Sequence, residues 1–404
     1  MRITFGRRIL LAMVCAVAVA TIYVAQPVLG EIGRDLGVPE SDLGGIVAAG
    51  QVGYVVGLAV LVPLGDMWDR RRLIGVQLLL AAAGMLVAAF SRTPWMLLIG
   101  LAVTGLFAVV VQTTVAFAAD LSTPAERGRT LGSVTSGVIL GILGARVLAA
   151  VLADVWGWRS VYVGLTLLLL ALSLFVVTML PADHRRHRKT YHDVLASLGR
   201  LFRDPLFLSR GLIAFFLFAS FGTLWSGLAL PLSAAPWQLT ASQIGAFGVA
   251  GLVGALGATR AGRWADAGRA DLVTGIALAL LAASWIASAQ APWSLLLVIV
   301  GVIVLDFAVQ AAHVSNQSLL TAAHPHRTSS VIGGYMIFYS LGSALGATAT
   351  TTLYSVSGWT GSAALGAVFA LGGLLTWTLS RRTVARDGIR ADRSAPLATT
   401  TEER

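Results

Sequence analysis

The chain has 404 residues, 56% hydrophobic and 12% charged, with a mean hydropathy of +0.80. Soluble domains carry about a quarter charged residues, so a water-soluble globule is excluded and the solvent must be largely lipid. The formal charge of +10 and pI near 10.7 would suit nucleic acid, but the positive residues are sorted by topology, and no nucleic-acid partner is expected.

A spanning helix needs roughly 20 apolar residues. Twelve such runs are predicted in chain order, at about 8–29, 42–64, 73–90, 95–118, 131–153, 160–180, 207–232, 242–262, 271–290, 293–317, 329–354 and 358–380. Arg7 and Arg8 precede the first run in the manner of a secretory signal. A signal's apolar region is about 7–15 residues, which this run exceeds, so it reads as the first helix. The longest polar link, "PADHRRHRKTYHDVLASLGRLFRDP" (181–205), divides the runs six and six. The expected fold is an all-α membrane protein, with twelve transmembrane helices in two six-helix pseudo-repeats around a central cavity. Residues 1–180 form the first bundle, 181–206 the linker, 207–382 the second bundle and 383–404 a polar, disordered tail.

Of the 29 Lys and Arg, only Arg34, Arg92 and Arg159 lie on one set of alternate links, and Arg146 lies inside a span. All the others fall on the opposite set. Positive residues stay cytoplasmic, so both termini are expected inside, in a cell inner membrane, as an even number of spans requires. Cys15 is the only cysteine and sits within the first span, which leaves no intramolecular disulfide.

The two halves superpose in sequence. At an offset of 200, Gly45, Gly57 and Asp66 fall on Gly245, Gly257 and Asp266; at 198, Pro94, Trp95 and Gln112 fall on Pro292, Trp293 and Gln310; at 201, Gly132, Gly141, Gly157 and Trp158 fall on Gly333, Gly342, Gly358 and Trp359. A near-constant offset argues for an internal duplication, and transporter folds are commonly built from such repeats. The pairs Gly53/Gly57, Gly137/Gly141 and Gly342/Gly346 read as small-xxx-small seams that bring helices close in lipid.

The stretch "GVIVLDFAVQAAHVSNQ" (301–317) places an acid and an imidazole inside an apolar run. At ~100° per residue, Asp306, Gln310, His313 and Gln317 share an arc of about 60°, which must face protein or water because ionisable groups avoid lipid. The matching positions of the fourth run, Ala108, Gln112, Val115 and Ala119, hold no titratable group. Asp306 is expected near the midplane. Arg146 is expected roughly 6 Å outward of its helix centre, close enough for its side chain to reach Asp306. Intramembrane acids mark proton or ion pathways, so Asp306, Arg146 and His313 are the candidate proton-coupling groups.

The six-plus-six plan and "VPLGDMWDRRRLIG" (62–75), with the shorter "GRWADAGR" (262–269) and "ADLSTPAERGR" (119–129), resemble the major facilitator superfamily of transporters, over essentially the whole chain. Within it, the drug/proton antiporters of the efflux branch are the closest likeness. The resemblance implies a cytoplasmic charge cluster that holds one transport state closed, here Asp66, Arg70, Arg71, Asp120 and Arg127, with Asp266 as the second-half counterpart. It also implies a cavity lined by helices 1, 4, 7 and 10, here Tyr23, Gln26, Gln112, Phe218, Trp225 and Gln310. The chain departs from the family pattern at Val62, Met67 and Asp69 in the loop motif. Ile99, Gly100 and Leu101 stand where many proton-coupled members carry a helix 4 arginine, and Arg146 stands where the efflux signature of helix 5 has a Gly-Pro pair.

An ATP-driven pump needs a lysine in its phosphate-cradling loop, and a retinal protein an intramembrane lysine. The only lysine, Lys189, lies in a polar link. No enzymatic constellation, metal site or cofactor is expected. The expected function is proton-coupled efflux of a small organic molecule by alternating access, by a monomer whose partners are substrate, protons and the bilayer. The alternative is a uniporter or proton-coupled importer of a sugar or organic acid with the same fold.

Overall fold

The computed structural model describes residues 4–123, 127–182, 199–258, 264, 268–324 and 328–393. Among these the chain is helical, without strands. Its apolar helices are α1 (Phe5–Leu36), α2 (Glu40–Val60), α3 (Arg70–Ala89), α4 (Pro94–Asp120), α5 (Arg127–Trp156), α6 (Trp158–Met179), α7 (Pro205–Ser233), the shorter α8 (Ala241–Gly257), α9 (Ala270–Ser288) and α10 (Leu295–Ala323). The last segment, Thr328–Arg393, turns at Gly358 (φ 60°, ψ −160°), which splits it into α11 (328–357) and α12 (359–393). The twelve passes of the sequence reading are all present.

Two ends differ from expectation. α12 continues to Arg393, so residues 383–393, expected as disordered tail, are helical. The segment holds three Arg, good helix formers, and it extends a helix already nucleated by packing. Residues 394–404 lie outside the described residues. The eighth run was expected to reach 262; α8 ends at Gly257, and 259–263 lie outside the described residues.

The duplication is visible in the packing. α1 packs on α5 as α7 packs on α11, α2 on α4 as α8 on α10, and α3 on α6 as α9 on α12. The small-residue seams explain how the helices come so close. A Cβ at Gly137 or Gly141 would run into the backbone of Ala12 or Ala16 on α1, and one at Gly342 or Gly346 into that of Phe215 or Ala219 on α7. Lipid gives no hydrophobic drive between helices, so such close backbone packing carries the association. The repeated Gly-Trp corners match too. Gly157 (φ 77°) and Gly358 (φ 60°) take left-handed backbone that a side chain resists, and each delivers a buried tryptophan, Trp158 or Trp359.

The halves meet along α2–α11 and α5–α8. Gly44 N–H donates to Thr351 Oγ1 (3.1 Å), Ser41 O accepts from the hydroxyls of Thr351 and Thr352 (3.2 Å each), and Ser242 N–H donates to Asp154 Oδ2 (2.8 Å). Nearer the middle, Gln51 Nε2 donates to Ser343 Oγ (3.3 Å), Gln26 Nε2 to Ser226 Oγ (3.4 Å), and the Tyr23 and Tyr339 hydroxyls bond each other. Among the described residues, all of these cross-half bonds lie between the middle of the bundle and the face opposite the termini.

Candidate functional site

The site begins where α1 breaks. Pro27 cannot donate a backbone bond, and a short 3-10 turn at Gln26–Val28 interrupts the helix. That turn presents Gln26 to the bundle axis, where Gln26 Oε1 accepts two bonds from Arg146, from Nε at 3.1 Å and Nη2 at 2.9 Å. Arg146 is 1% exposed. Its Cζ lies 4.0 Å from the Trp225 ring centroid, 5.2 Å from that of Phe221 and 5.3 Å from that of Tyr23. Three aromatic faces thus replace water around the guanidinium. Arg146 Nη1 has no hydrogen-bond partner among the described residues.

Asp306 is 2% exposed on α10. Its neighbour across the seam is Gly251 of α8: a Cβ built there would lie 3.1 Å from Asp306 Oδ2 and 2.9 Å from Trp225 Cζ2. The carboxylate and the indole edge therefore converge on one glycine. Among the described residues, neither Asp306 Oδ2 nor Trp225 Nε1 has a hydrogen-bond partner. The expected contact between Arg146 and Asp306 is not made: among the described residues no ion pair joins them. Gln26 and the Trp225 face hold the guanidinium, so Trp225 stands between the two charges' neighbourhoods while they form no ion pair with each other.

His313 lies about two helical turns further along α10, toward the terminal face. Its Nδ1 is 3.2 Å from Tyr335 Oη and its Nε2 3.2 Å from Gln317 Nε2. Its ring meets Phe218 edge-on with centroids 5.2 Å apart, and Phe218 leans on Tyr339, whose hydroxyl bonds Tyr23. An aromatic column thus connects His313 to the Arg146 cage. Gln112 Nε2 donates to Tyr54 Oη of α2 (2.7 Å), whereas half-buried Gln310 makes no hydrogen bond among the described residues. The sequence reading missed Gln51, Tyr54, Ser226 and Tyr339. Buried glutamine and tyrosine inside apolar runs were the available signal.

At the terminal face, Arg70 forms an ion pair with Asp120 and its Nε donates to Gly65 O (2.8 Å). Arg71 does not join that pair; its Nη1 donates to Leu180 O (3.4 Å) at the end of α6. The side chains of Asp66 and Arg127, and Asp266 as a whole, lie outside the described residues. The second half carries a cluster that the sequence reading did not find. Arg210 (6% exposed) pairs with Asp271 at 2.7 Å and donates to Asn316 Oδ1 (3.4 Å). Asp271 Oδ1 also accepts from Trp377 Nε1 (3.1 Å), and Asp271 Oδ2 pairs with Arg381 (3.2 Å).

Outside the spans, Asp204 caps α7. Burial pushes its carboxyl up, but bonds from the N–H groups of Phe207 and Leu206 and from His324 outweigh this and hold it below its usual range.

Comparison with known proteins follows the same lines. Residues 9–255 match the family model described as Major Facilitator Superfamily. The chain is 40% identical over 370 residues to the uncharacterized transporter YgaY of Escherichia coli O157:H7, covering 91% of this chain and 94% of that one. Among solved structures it is similar to a bacterial homologue of the human lysosomal transporter Spinster, inward-facing and occupied (TM-score 0.72, 15% identity, 94% of this chain and 97% of that one). It is also similar to the human organic anion transporter MFSD10 (TM-score 0.70, 17% identity, 94% and 100%). A family model matching more than half of the chain and a relative 40% identical over nearly its whole length settle the matter: the chain belongs to the major facilitator superfamily.

Proposed function

We propose that the protein is a monomeric proton-coupled exporter of a small organic molecule, seated in the inner membrane with both termini cytoplasmic. The positive residues support this orientation, because they gather on the links that share a side with the termini. With the termini inside, the seals at Ser41–Thr351 and Asp154–Ser242 close the outer face, which corresponds to an inward-facing arrangement. The observation that carries proton coupling is Asp306, buried in the bundle with an oxygen that has no hydrogen-bond partner among the described residues. An ionised carboxylate left so costs free energy, and a bound proton removes the cost. A proton entering from outside and leaving to the inside would alternate with substrate moving outward.

The test is transport into inverted vesicles with and without an imposed pH gradient. Asp306→Asn should fold but lose gradient-driven accumulation, because an amide has no proton to take up and release. An Asp306→Asn protein that still concentrates substrate under ΔpH would end this reading.

A further inference from the structure

The site holds two opposite charges, each with an unfilled hydrogen-bonding position, and they do not fill each other. Arg146 spends Nε and Nη2 on a single oxygen of Gln26, leaving Nη1 free. Asp306 leaves Oδ2 free. Both groups are almost wholly buried; Arg146 lies over the Trp225 ring, whose edge converges with Asp306 on Gly251. Such orphaned groups are costly and call for a partner. A paired Arg and Asp would have satisfied each other; held apart, they leave one position for an acceptor and one for a donor. A small cleft bordered by Gln26, Arg146, Trp225, Leu228 and Ile244 adjoins the guanidinium, so the space beside Arg146 is largely apolar and aromatic.

We propose that the substrate is a zwitterion with an apolar body, of the α-amino acid type, its carboxylate received by Arg146 Nη1 and its ammonium by Asp306 Oδ2. The guanidinium matches a carboxylate in geometry, and each charge of the ligand would fill one unsatisfied position. Phe221, Trp225, Leu228 and Ile244 suit the apolar part. A purely cationic or purely anionic molecule would leave one buried charge without its partner. The inference rests on the reading of this site as the transport site.

The test measures binding to purified full-length protein in detergent at fixed pH, with no gradient, so its failure is separable from failure of proton coupling. The probes are phenylalanine, leucine and tryptophan, each with its decarboxylated amine and its deaminated carboxylic acid. At least one of the amino acids should bind, and either truncated analogue should bind about tenfold more weakly or worse, as expected for loss of one charge-assisted bond. Asp306→Asn should erase the preference for the amino acid over its deaminated acid, and Arg146→Gln the preference over its amine. Asp306→Glu and Arg146→Lys, which keep each charge, serve where the neutral variants do not fold and should retain the order of preference. Equal binding of an amine and its amino acid, equal binding of an acid and its amino acid, or no binding of any amino acid would overturn the proposal.

Discussion

Helices α4 and α10 occupy corresponding places in the two bundles, yet they have been put to different use. Each packs through a glycine seam on its partner, α4 on Gly53 of α2 and α10 on Gly254 of α8. On α10 the inner face carries Asp306 and His313; the matching places on α4 are Ala108 and Val115. The same holds for α5 and α11, where Arg146 corresponds to Ala347. Packing was kept in both copies while charge was placed once in each: a cation in the first half and an acid in the second. Their separation is therefore set by how the halves sit against each other. A site divided in this way senses any rocking of one bundle on the other, the motion on which alternating access depends.

The largest effects should come from the features that the halves share. Gly141→Val and Gly346→Val would each drive a branched side chain into a backbone carbonyl, of Ala16 and Ala219 respectively. Both should abolish monodisperse folded protein on size-exclusion chromatography. Gly333→Ala, where nothing lies within 4 Å of the added carbon, should behave as wild type. If one seam tolerated valine and the other did not, the two bundles would not be equivalent in packing.

A smaller effect should follow from the terminal-face clusters, in which the halves differ. The first half ties α3 to α4 through Arg70 and Asp120; the second ties α7 to α9 and α12 through Arg210, Asp271 and Arg381. Breaking a fully buried pair costs about 3–5 kcal/mol. Asp271 is partly exposed and keeps Arg381 and Trp377, so Arg210→Met should cost about 2 kcal/mol, read as a lower unfolding midpoint in detergent. Adding Asp271→Leu should restore much of the loss. A double mutant less stable than the single would mean that Asp271 works through its other partners.

Much of this architecture could be read in the sequence because lipid imposes a simple rule: apolar length sets the passes, and glycine spacing sets the seams. The intramembrane residues Asp306 and Arg146 stood out because charge is rare in such runs. Their relation did not follow. The sequence placed both near the middle, but a 3-10 turn in α1 delivers Gln26 to Arg146, and helical spacing says nothing of a turn on another helix. Arg210 escaped notice for a related reason. Lying at a helix end near other positive residues, it looked like ordinary inside charge, and only folding brings Asp271 and Asn316 to it. The helical extension to Arg393 was missed because polarity was taken as a sign of disorder, whereas polar residues such as Arg readily continue an established helix.

The smallest effect should distinguish the entrances to the two bundles. Thr4 and Asp204 stand at the same offset of 200 that relates the repeats, and each caps the first helix of its half. The Thr4 hydroxyl accepts from Arg7 N–H (3.4 Å) and has no charge to lose. Asp204 accepts from the N–H groups of Leu206 (2.8 Å) and Phe207 (3.2 Å) and faces His324 Nε2 at 2.7 Å. Its carboxyl is held below the usual aspartate value of 3.8. A depressed folded value means that the ionised form stabilises the fold above the unfolded value, and that this contribution fades as pH falls through the folded one. Asp204→Asn keeps a good capping side chain but loses the charge facing His324, so its unfolding midpoint should lie a little below wild type at pH 7. The gap should close as the pH is taken below the usual aspartate value. Thr4→Asn, in the first half, should give a difference from wild type that does not change with pH over the same range. A gap at Asp204 that stayed constant down to pH 3 would show that the cap contributes through geometry alone, and that the two bundles begin alike.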